Sequence, residues 1–492
     1  MLLVQAAFFY YVSQHRLVDD DEGYYLLASR LVIDHKTPYL DFLYPQAPLL
    51  PYIYAAWLKL AGISWASARV LCALLSTAVG GLLYWHVVRE TGKWLAGASA
   101  VLLFASSSLV FAWLPIVKTF APALLFLFPA YMLCARLSPR TSGWIIAAAG
   151  VLFAVAADTR SYVVGLLPVF LWWVWRKQQG GSLVRIAWFL AGVAIGALPS
   201  LVLFFASPST FLYNNLGYHG MRSSGGLIGN FQDKMLVAAA MLGGAYTGFQ
   251  FTVMSLAAVG FIVMRKTRSR AALLALVIAV ALGLISLLPT PASIQYFSMV
   301  MPFLIVSAAV SVSEYLSNSH SPQVRRRLQF ACAALVVAFV AFGIPLVRPY
   351  LYTGRKVPGI HGRADAPNWT LQRLDEVSRA VDELARPGEP VISFFSGYIF
   401  ATHVAPYPGF ETNFGPFVAP LLSPERRRQY HLITGADIET ALARHQSRLV
   451  VLSSNQGYWN NELDYAACLA ALRAHSYRPV RQIGDIYIYA AS

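Results

Sequence analysis

Apolar stretches of roughly 15 to 22 residues recur from the N-terminus to about residue 347, each long enough or nearly long enough to cross a hydrocarbon layer of about 30 Å as a helix. They fall near 1–13, 67–88, 95–113, 120–135, 144–157, 161–175, 186–206, 248–264, 271–288, 296–315 and 328–347. From Arg348 onward the pattern changes, with frequent charges and apolar runs of only four or five residues, the look of a water-soluble α/β unit. The expected fold class is therefore mainly α. It is a polytopic membrane helix bundle of about eleven spans over 1–347, with interfacial helices in its first outer loop and a small α/β domain over 348–492. In that domain the spacing of Leu371, Leu374, Val377, Val381 and Leu384 predicts a helix over 370–386. Strands are expected at 391–395 and 448–452, with two more around Gly484-Asp485 near the end.

Composition makes the membrane reading close to forced. Of 492 residues, 57% are hydrophobic and 12% charged, with a mean hydropathy of +0.54, a balance that would not keep a soluble protein dissolved. The formal charge of +15 does not signal nucleic acid, because the basic residues stand in short clusters between apolar runs. Those clusters are Arg89/Lys93, Arg136/Arg140, Arg176/Lys177/Arg185, Arg265/Lys266/Arg268/Arg270 and Arg325/Arg326/Arg327. They read as cytoplasmic loops. With eleven crossings, the segments 14–66, 114–119, 158–160, 207–247 and 289–295 and the C-terminal domain then face outward. Cys72, Cys134 and Cys332 lie in apolar runs and Cys468 in the soluble part, which argues against a disulfide framework. The start has no basic region and no small-residue cleavage site, so no cleavable signal is expected. Only about 12 apolar residues precede Ser13, which implies a short first helix or a start upstream of Met1.

The outer segments hold the unusual residues. Asp19, Asp20, Asp21 and Glu22 follow the first helix directly. Four adjacent acids beside a bilayer repel one another and lose solvent, so a cation, a basic partner or a catalytic use must offset them. The plainer reading is a helix N-terminus, where acids favour the positive end of the dipole. Behind them come a Tyr- and Leu-rich helix over 24–33 and an apolar stretch broken by Pro38, Pro45, Pro48 and Pro51. A loop of that kind lies along the membrane and would roof a cavity between helices, with carboxylates at headgroup depth.

The order Asp21-Glu22-Gly-Tyr-Tyr, Pro-Tyr-x-Asp-Phe around Asp41, Pro-Gln-x-Pro-Leu-Leu-Pro-Tyr from Pro45, and then Gly62, Ser64 and Arg69 opening the next helix resembles the integral-membrane C-type glycosyltransferases. Within them it is most similar to the bacterial branch related to protein O-mannosyltransferases and lipid A aminoarabinose transferases. The resemblance implies transfer of a sugar from a polyprenyl-phosphate donor to a glycan, lipid or protein acceptor outside the cytoplasm, in the bacterial inner membrane. Asp21 matches the acid of the first-loop motif and would be the catalytic carboxylate, with Glu22 beside it and Asp41 as a second polar residue. Tyr296, after Gln295, matches an Arg-Tyr or His-Tyr of many relatives, and Lys118 stands where many carry an acid.

Displacing a polyprenyl phosphate from an anomeric carbon needs a base for the acceptor hydroxyl and positive groups for the leaving phosphate. Outer-segment candidates for the phosphate are Lys118, Arg160, His219 and Arg222. Their plainer readings are snorkelling for Lys118 and Arg222 and an Asp158–Arg160 ion pair within the loop. Asp20 and Asp21 could hold a divalent cation, the one cofactor the residues admit; no His or Cys spacing resembles a zinc site and no Gly-rich phosphate loop occurs. The aromatic and polar run 406–413 is a candidate sugar contact, set against the ordinary surface loop it resembles. Two other classes compete: a flippase or transporter of a lipid-linked glycan, for which an internal repeat would be expected, and an inactive sugar-binding relative.

Overall fold

The computed structural model describes residues 1–176, 182–221, 226–263, 269–319, 321–412, 414–454 and 465–492. Each predicted apolar run coincides with a helix or a helix pair. The first is α1 (Leu2–His15), followed by α2 (Asp20–Ile33), α3 (Leu49–Ala61) and α4 (Trp65–Thr91). The Ser64 hydroxyl accepts from the Ser67 N–H to start α4, and Gly92, at φ +68°, ends it. Next come α5 (Trp94–Ser106), α6 (Ser108–Phe111), α7 (Phe120–Ala135) and α8 (Gly143–Thr159). A 3-10 turn over Ser161–Leu166 runs into α9 (Leu167–Trp175), and α10 (Leu183–Gly196) continues as α11 (Leu198–Ala206). Helix α8 packs on α10 backbone to backbone: a Cβ on Gly192 would stand 2.0 Å from the Ala147 carbonyl and one on Gly150 2.2 Å from that of Phe189. Small residues at such a contact are what lets membrane helices approach closely.

The segment predicted as an outer loop over 207–247 is mostly helical. It holds α12 (Pro208–Leu212), a π turn over Tyr213–Gly217, α13 (Tyr218–Met221) and α14 (Gly226–Gly243). Helix α15 (Thr247–Val263) leaves α14 at 72°, as α11 leaves α10 at 61°. The remaining apolar helices are α16 (Arg270–Ile285), α17 (Met301–Asn318) with a preceding 3-10 turn Ile294–Met299, and α18 (Pro322–Leu351). Among the described residues, three units are long and apolar enough to cross a membrane, Trp65–Thr91, Ile294–Asn318 and Pro322–Leu351, or up to five if each bent pair is one span. The other apolar helices are shorter. Lys177, Arg265, Lys266 and Arg268, expected in cytoplasmic loops, lie outside the described residues.

Beyond α18, helix α19 (Leu371–Leu384) buries Leu374, Val377 and Val381 as the spacing predicts. Strands β1 (Pro390–Ser393), β2 (Ala405–Pro406), β3 (Leu449–Ser453), β4 (Tyr477–Ile483) and β5 (Ile486–Ala491) form one sheet in the order β2-β1-β3-β5-β4. β1 runs parallel to β2 and β3, and β5 antiparallel to β3 and β4. Alternation along the strands splits the side chains. Val391, Leu449, Val451 and Ile488 join the core shared with the helices, whereas Ile392, Val450 and Leu452 pack under Ile438, Leu442 and Leu472 on the far face.

The segment between α1 and α4 is held between the helices and this sheet. Glycine at position 23 allows α2 to touch the C-terminal part, because a Cβ there would meet the Gly397 nitrogen at 2.5 Å and the Phe395 ring at 2.7 Å. The Val18 N–H donates to the Trp369 carbonyl at 2.7 Å, and Arg30 donates to the carbonyls of Phe400, at 3.3 Å, and Thr402. As a result α2 is buried on nearly every side, where the sequence suggested an interfacial helix; α3 keeps an open face with Tyr52 and Leu60 exposed.

Candidate functional site

Two of the four acids cap a helix, and two open onto a cavity. The Asp19 carboxylate accepts from the Asp21 N–H at 3.1 Å, and Glu22 reaches back to the Asp19 N–H at 2.8 Å, a reciprocal capping box that starts α2. Glu22 is fully buried and pairs with Arg69 of α4. Oε1 accepts from Nη2 at 2.7 Å, and Oε2 accepts from Nε at 2.6 Å and from the Val117 N–H at 2.9 Å. Arg69 Nη1 in turn donates to the carbonyls of Ser13 and Arg16, at 2.8 and 3.2 Å. Every oxygen of Glu22 is thus occupied away from the cavity. The helix-cap reading holds for Asp19 and Glu22, leaving Asp20 and Asp21.

The short segment between α6 and α7 connects these parts through three consecutive residues. Val117 donates to Glu22, Lys118 Nζ contacts Asp19 Oδ1 and Asp21 Oδ2, and the Thr119 hydroxyl accepts from Arg160 Nη1. Lys118 is 2% exposed and Asp19 not at all, while the Asp21 side chain keeps 28%. Burial opposes charge on Lys118, but Asp19 and Asp21 outweigh it and hold the ammonium above the usual lysine range. Burial likewise opposes charge on Asp19, which Lys118 and then Arg16 keep ionised below the usual range. Asp20 is driven the other way, well above it, by burial and then by the charges of Asp19 and Asp21. It opens onto the cavity yet is packed round by protein.

The cavity has a volume of about 270 Å³. Asp20, Asp21, Tyr24 and Tyr25 of α2 line it, with Gln46 of the proline-rich stretch, Lys118, Phe120 and Arg160. Tyr218, Ser293, Gln295 and Tyr296 close the opposite side, and Pro358 and Phe414 reach in from the C-terminal part. Arg160 is 7% exposed, and its guanidinium carbon stands 4.3, 4.4 and 5.1 Å from the ring centres of Phe120, Tyr162 and Tyr296. Among the described residues no carboxylate pairs with it; Asp158 instead accepts from the Ser200 N–H at 3.3 Å. Arg160 therefore brings a buried cation with aromatic neighbours but no counter-ion, the arrangement an anion would complete.

Of the residues singled out in the sequence, Asp20, Asp21, Lys118, Arg160 and Tyr296 meet at this cavity. Glu22 lies behind it, and Asp41 is exposed on a turn, accepting from the Thr37 N–H at 2.6 Å. His219 is not in the lining, though its neighbour Tyr218 is. Arg222 lies outside the described residues, as does Asn413 at the end of the aromatic run. The next residue, Phe414, meets Tyr24 edge-on at 5.0 Å. Arg16 and Arg69 escaped notice as site residues. Arg16 is buried, 3.9 Å from Asp19 and 5.1 Å from the Trp113 ring, and its position three residues before the first of four acids was the signal available.

The crystal structure of ArnT from Cupriavidus metallidurans bound to undecaprenyl phosphate superposes with a TM-score of 0.65 over 99% of this chain and 97% of that one, at 14% identity. The same protein in the apo state gives 0.64 at 13% identity, with equal coverage. This chain has the ArnT fold. ArnT is a lipid A aminoarabinose transferase, a C-type glycosyltransferase, so the fold expected from the first-loop motif is the fold found. No protein-family model matches the chain, and no curated protein matches it in sequence.

Proposed function

We propose that this chain is a glycosyltransferase of the inner membrane. It moves a sugar from a polyprenyl-phosphate donor to an acceptor hydroxyl on a glycan, lipid or protein outside the cytoplasm, with inversion at the anomeric carbon. Residues 1–347 carry the catalysis and 348–492 form an extracytoplasmic α/β domain that covers it. One observation carries the reading: Asp21, which lines the cavity with a side chain 28% exposed, shares that cavity with Arg160, a buried cation lacking a carboxylate partner among the described residues. The ArnT structure with undecaprenyl phosphate has the same fold, which supports a polyprenyl-phosphate donor.

In this mechanism Asp21 takes the proton of the acceptor hydroxyl as its oxygen bonds to the anomeric carbon. The bond from that carbon to the phosphate oxygen breaks, and the charge growing on the phosphate falls to Arg160, with Tyr296 beside it. The flippase reading has the two bent helix pairs in its favour. Neither break carries an Asp, Glu, Lys or Arg, since Ala197 stands at one and residues 244–246 at the other. The test is transfer of radiolabelled sugar from a lipid-linked donor by purified protein. Asp21→Asn should abolish transfer while the donor still binds, and Arg160→Gln should weaken donor binding. Full transfer by Asp21→Asn removes this mechanism, and absence of any transfer by wild type across lipid-linked donors favours the flippase or an inactive sugar-binding protein.

A further inference from the structure

Asp19, Asp20 and Asp21 each present a carboxylate oxygen within 4.8 Å of the others. That is the spacing at which oxygens about 2.0–2.6 Å from one ion would share a divalent cation. The space between two of the three is taken, however, because Lys118 Nζ contacts both Asp19 and Asp21. An ion at ligand distance from those two oxygens would overlap the ammonium. Asp19 Oδ2 is buried and accepts no hydrogen bond among the described residues, and Arg16 Nη2 stands 3.9 Å from it. With Lys118 at Oδ1 and Arg16 near Oδ2, the buried Asp19 carboxylate is compensated by positive charge from two directions.

We propose that the Lys118 ammonium is the resident cation of the Asp19–Asp20–Asp21 cluster and stands where a divalent metal would otherwise sit, so that wild-type protein holds no metal there. Lys118 is on this account a positioning residue, which fixes the Asp21 carboxylate and neutralises Asp19 behind it. The inference draws on the proposed reaction only for the use made of Asp21, since occupancy of the cluster is a property of these residues alone.

Trp113 supplies the measurement, since its ring centre lies 6.0 Å from Lys118 Nζ. A Tb³⁺ ion in place of the ammonium would be close enough to that indole for sensitised emission. Full-length protein purified in detergent and stripped with EDTA is titrated with Tb³⁺ under indole excitation, and with Mn²⁺ followed by electron paramagnetic resonance. Wild type is expected to give no saturable site. Lys118→Ala should bind one ion per chain, at least about tenfold more tightly than wild type, because a unit charge a few ångströms away has been removed. Adding Trp113→Phe should quench the Tb³⁺ emission and leave Mn²⁺ binding intact, and adding Asp20→Asn should weaken both. A saturable Mn²⁺ site in wild type that Asp20→Asn removes overturns the proposal, and so does a folded Lys118→Ala that binds no better than wild type. The wild-type titration stands even if the variant does not fold. None of these readouts uses sugar transfer, so the proposed activity and this assignment can fail separately.

Discussion

Replacing Glu22 by Gln tests whether the site is built on a buried ion pair. Glu22 and Arg69 are both fully buried, and the carboxylate accepts four hydrogen bonds, two from the guanidinium and two from backbone N–H groups. The amide is almost the same shape, but its NH₂ must face donors it cannot satisfy, whichever way it turns. It also leaves Arg69 charged and unpaired in a dry place. Breaking one side of such a pair costs about 3–5 kcal/mol, more than the net worth of the pair itself. The loss should be read as a lowered unfolding free energy in a denaturant titration of detergent-solubilised protein. Arg69→Met alone should cost a similar amount, and the double variant should lose at least about 1 kcal/mol less than the sum, because the two residues act on each other. Asp21→Asn, one residue away and partly exposed, should stay within about 1 kcal/mol of wild type. A Glu22→Gln protein as stable as wild type, or strictly additive losses, would refute the reasoning, since it requires the cost to come from the stranded charge.

Two further outcomes follow from the C-terminal part. Glu411 is 6% exposed, and burial pushes its carboxyl up to about 7 from an ordinary 4.5. The folded chain then keeps a proton between about 4.5 and 7 that the unfolded chain has released, so stability falls as pH rises through that window, by at most about 3 kcal/mol. Glu411→Gln should match wild type at the acid end and exceed it above the window, as compared in unfolding titrations at both ends; equal stability of the two proteins at alkaline pH would contradict this. Gly23→Ala should separate α2 from the turn at Gly397 at a cost of about 1–3 kcal/mol, seen as faster proteolysis of residues beyond α18; unchanged proteolysis would mean that the close approach is not needed.

The helices were readable because each carries its own signal. The run 120–135 is helical over Phe120–Ala135, and 161–175 over the 3-10 turn and α9, since a stretch apolar all round has few other uses. Helix α14 was hidden by Asn230, Gln232, Asp233 and Lys234, which break the apolar run although the backbone stays helical. The bends after Gly196 and Gly243 carry local breakers, Pro199 at one and Gly244 at the other, but such residues do not fix an angle, and the burial of α2 depends on Gly23 meeting Gly397, 374 positions away. For the site, acids and bases at span ends stand out against an apolar background, which is why Asp21, Lys118 and Arg160 could be named. What could not be read was the division of labour among four neighbouring acids. One turn of helix sends Asp19 and Glu22 inward to cap and pair while Asp20 and Asp21 turn to the cavity, and that choice is made by Arg69 and Lys118 arriving from other parts of the chain.

The cavity's size constrains what it can hold. At about 270 Å³ it falls just under the range of roughly 300–1,000 Å³ common for drug-sized ligands, so a sugar and its phosphate would occupy it and a polyprenyl tail would not. On the proposed reaction the tail would run outside, where the exposed Ile228, Phe231, Met235 and Leu236 of α14 offer apolar surface. That helix lies beside the wall that carries Gln295 and Tyr296, and Lys234 ties it there by donating to the Leu288 carbonyl at 3.1 Å. On the opposite side Phe414 and Pro358 close the cavity from the C-terminal part. On the proposed reaction a lipid-linked donor would approach Asp21 from the side of α14, and a separate acceptor would need a route of its own. An arrangement of that kind suits transfer between two carriers better than passage of one through the membrane, for which the cavity would have to open toward both faces.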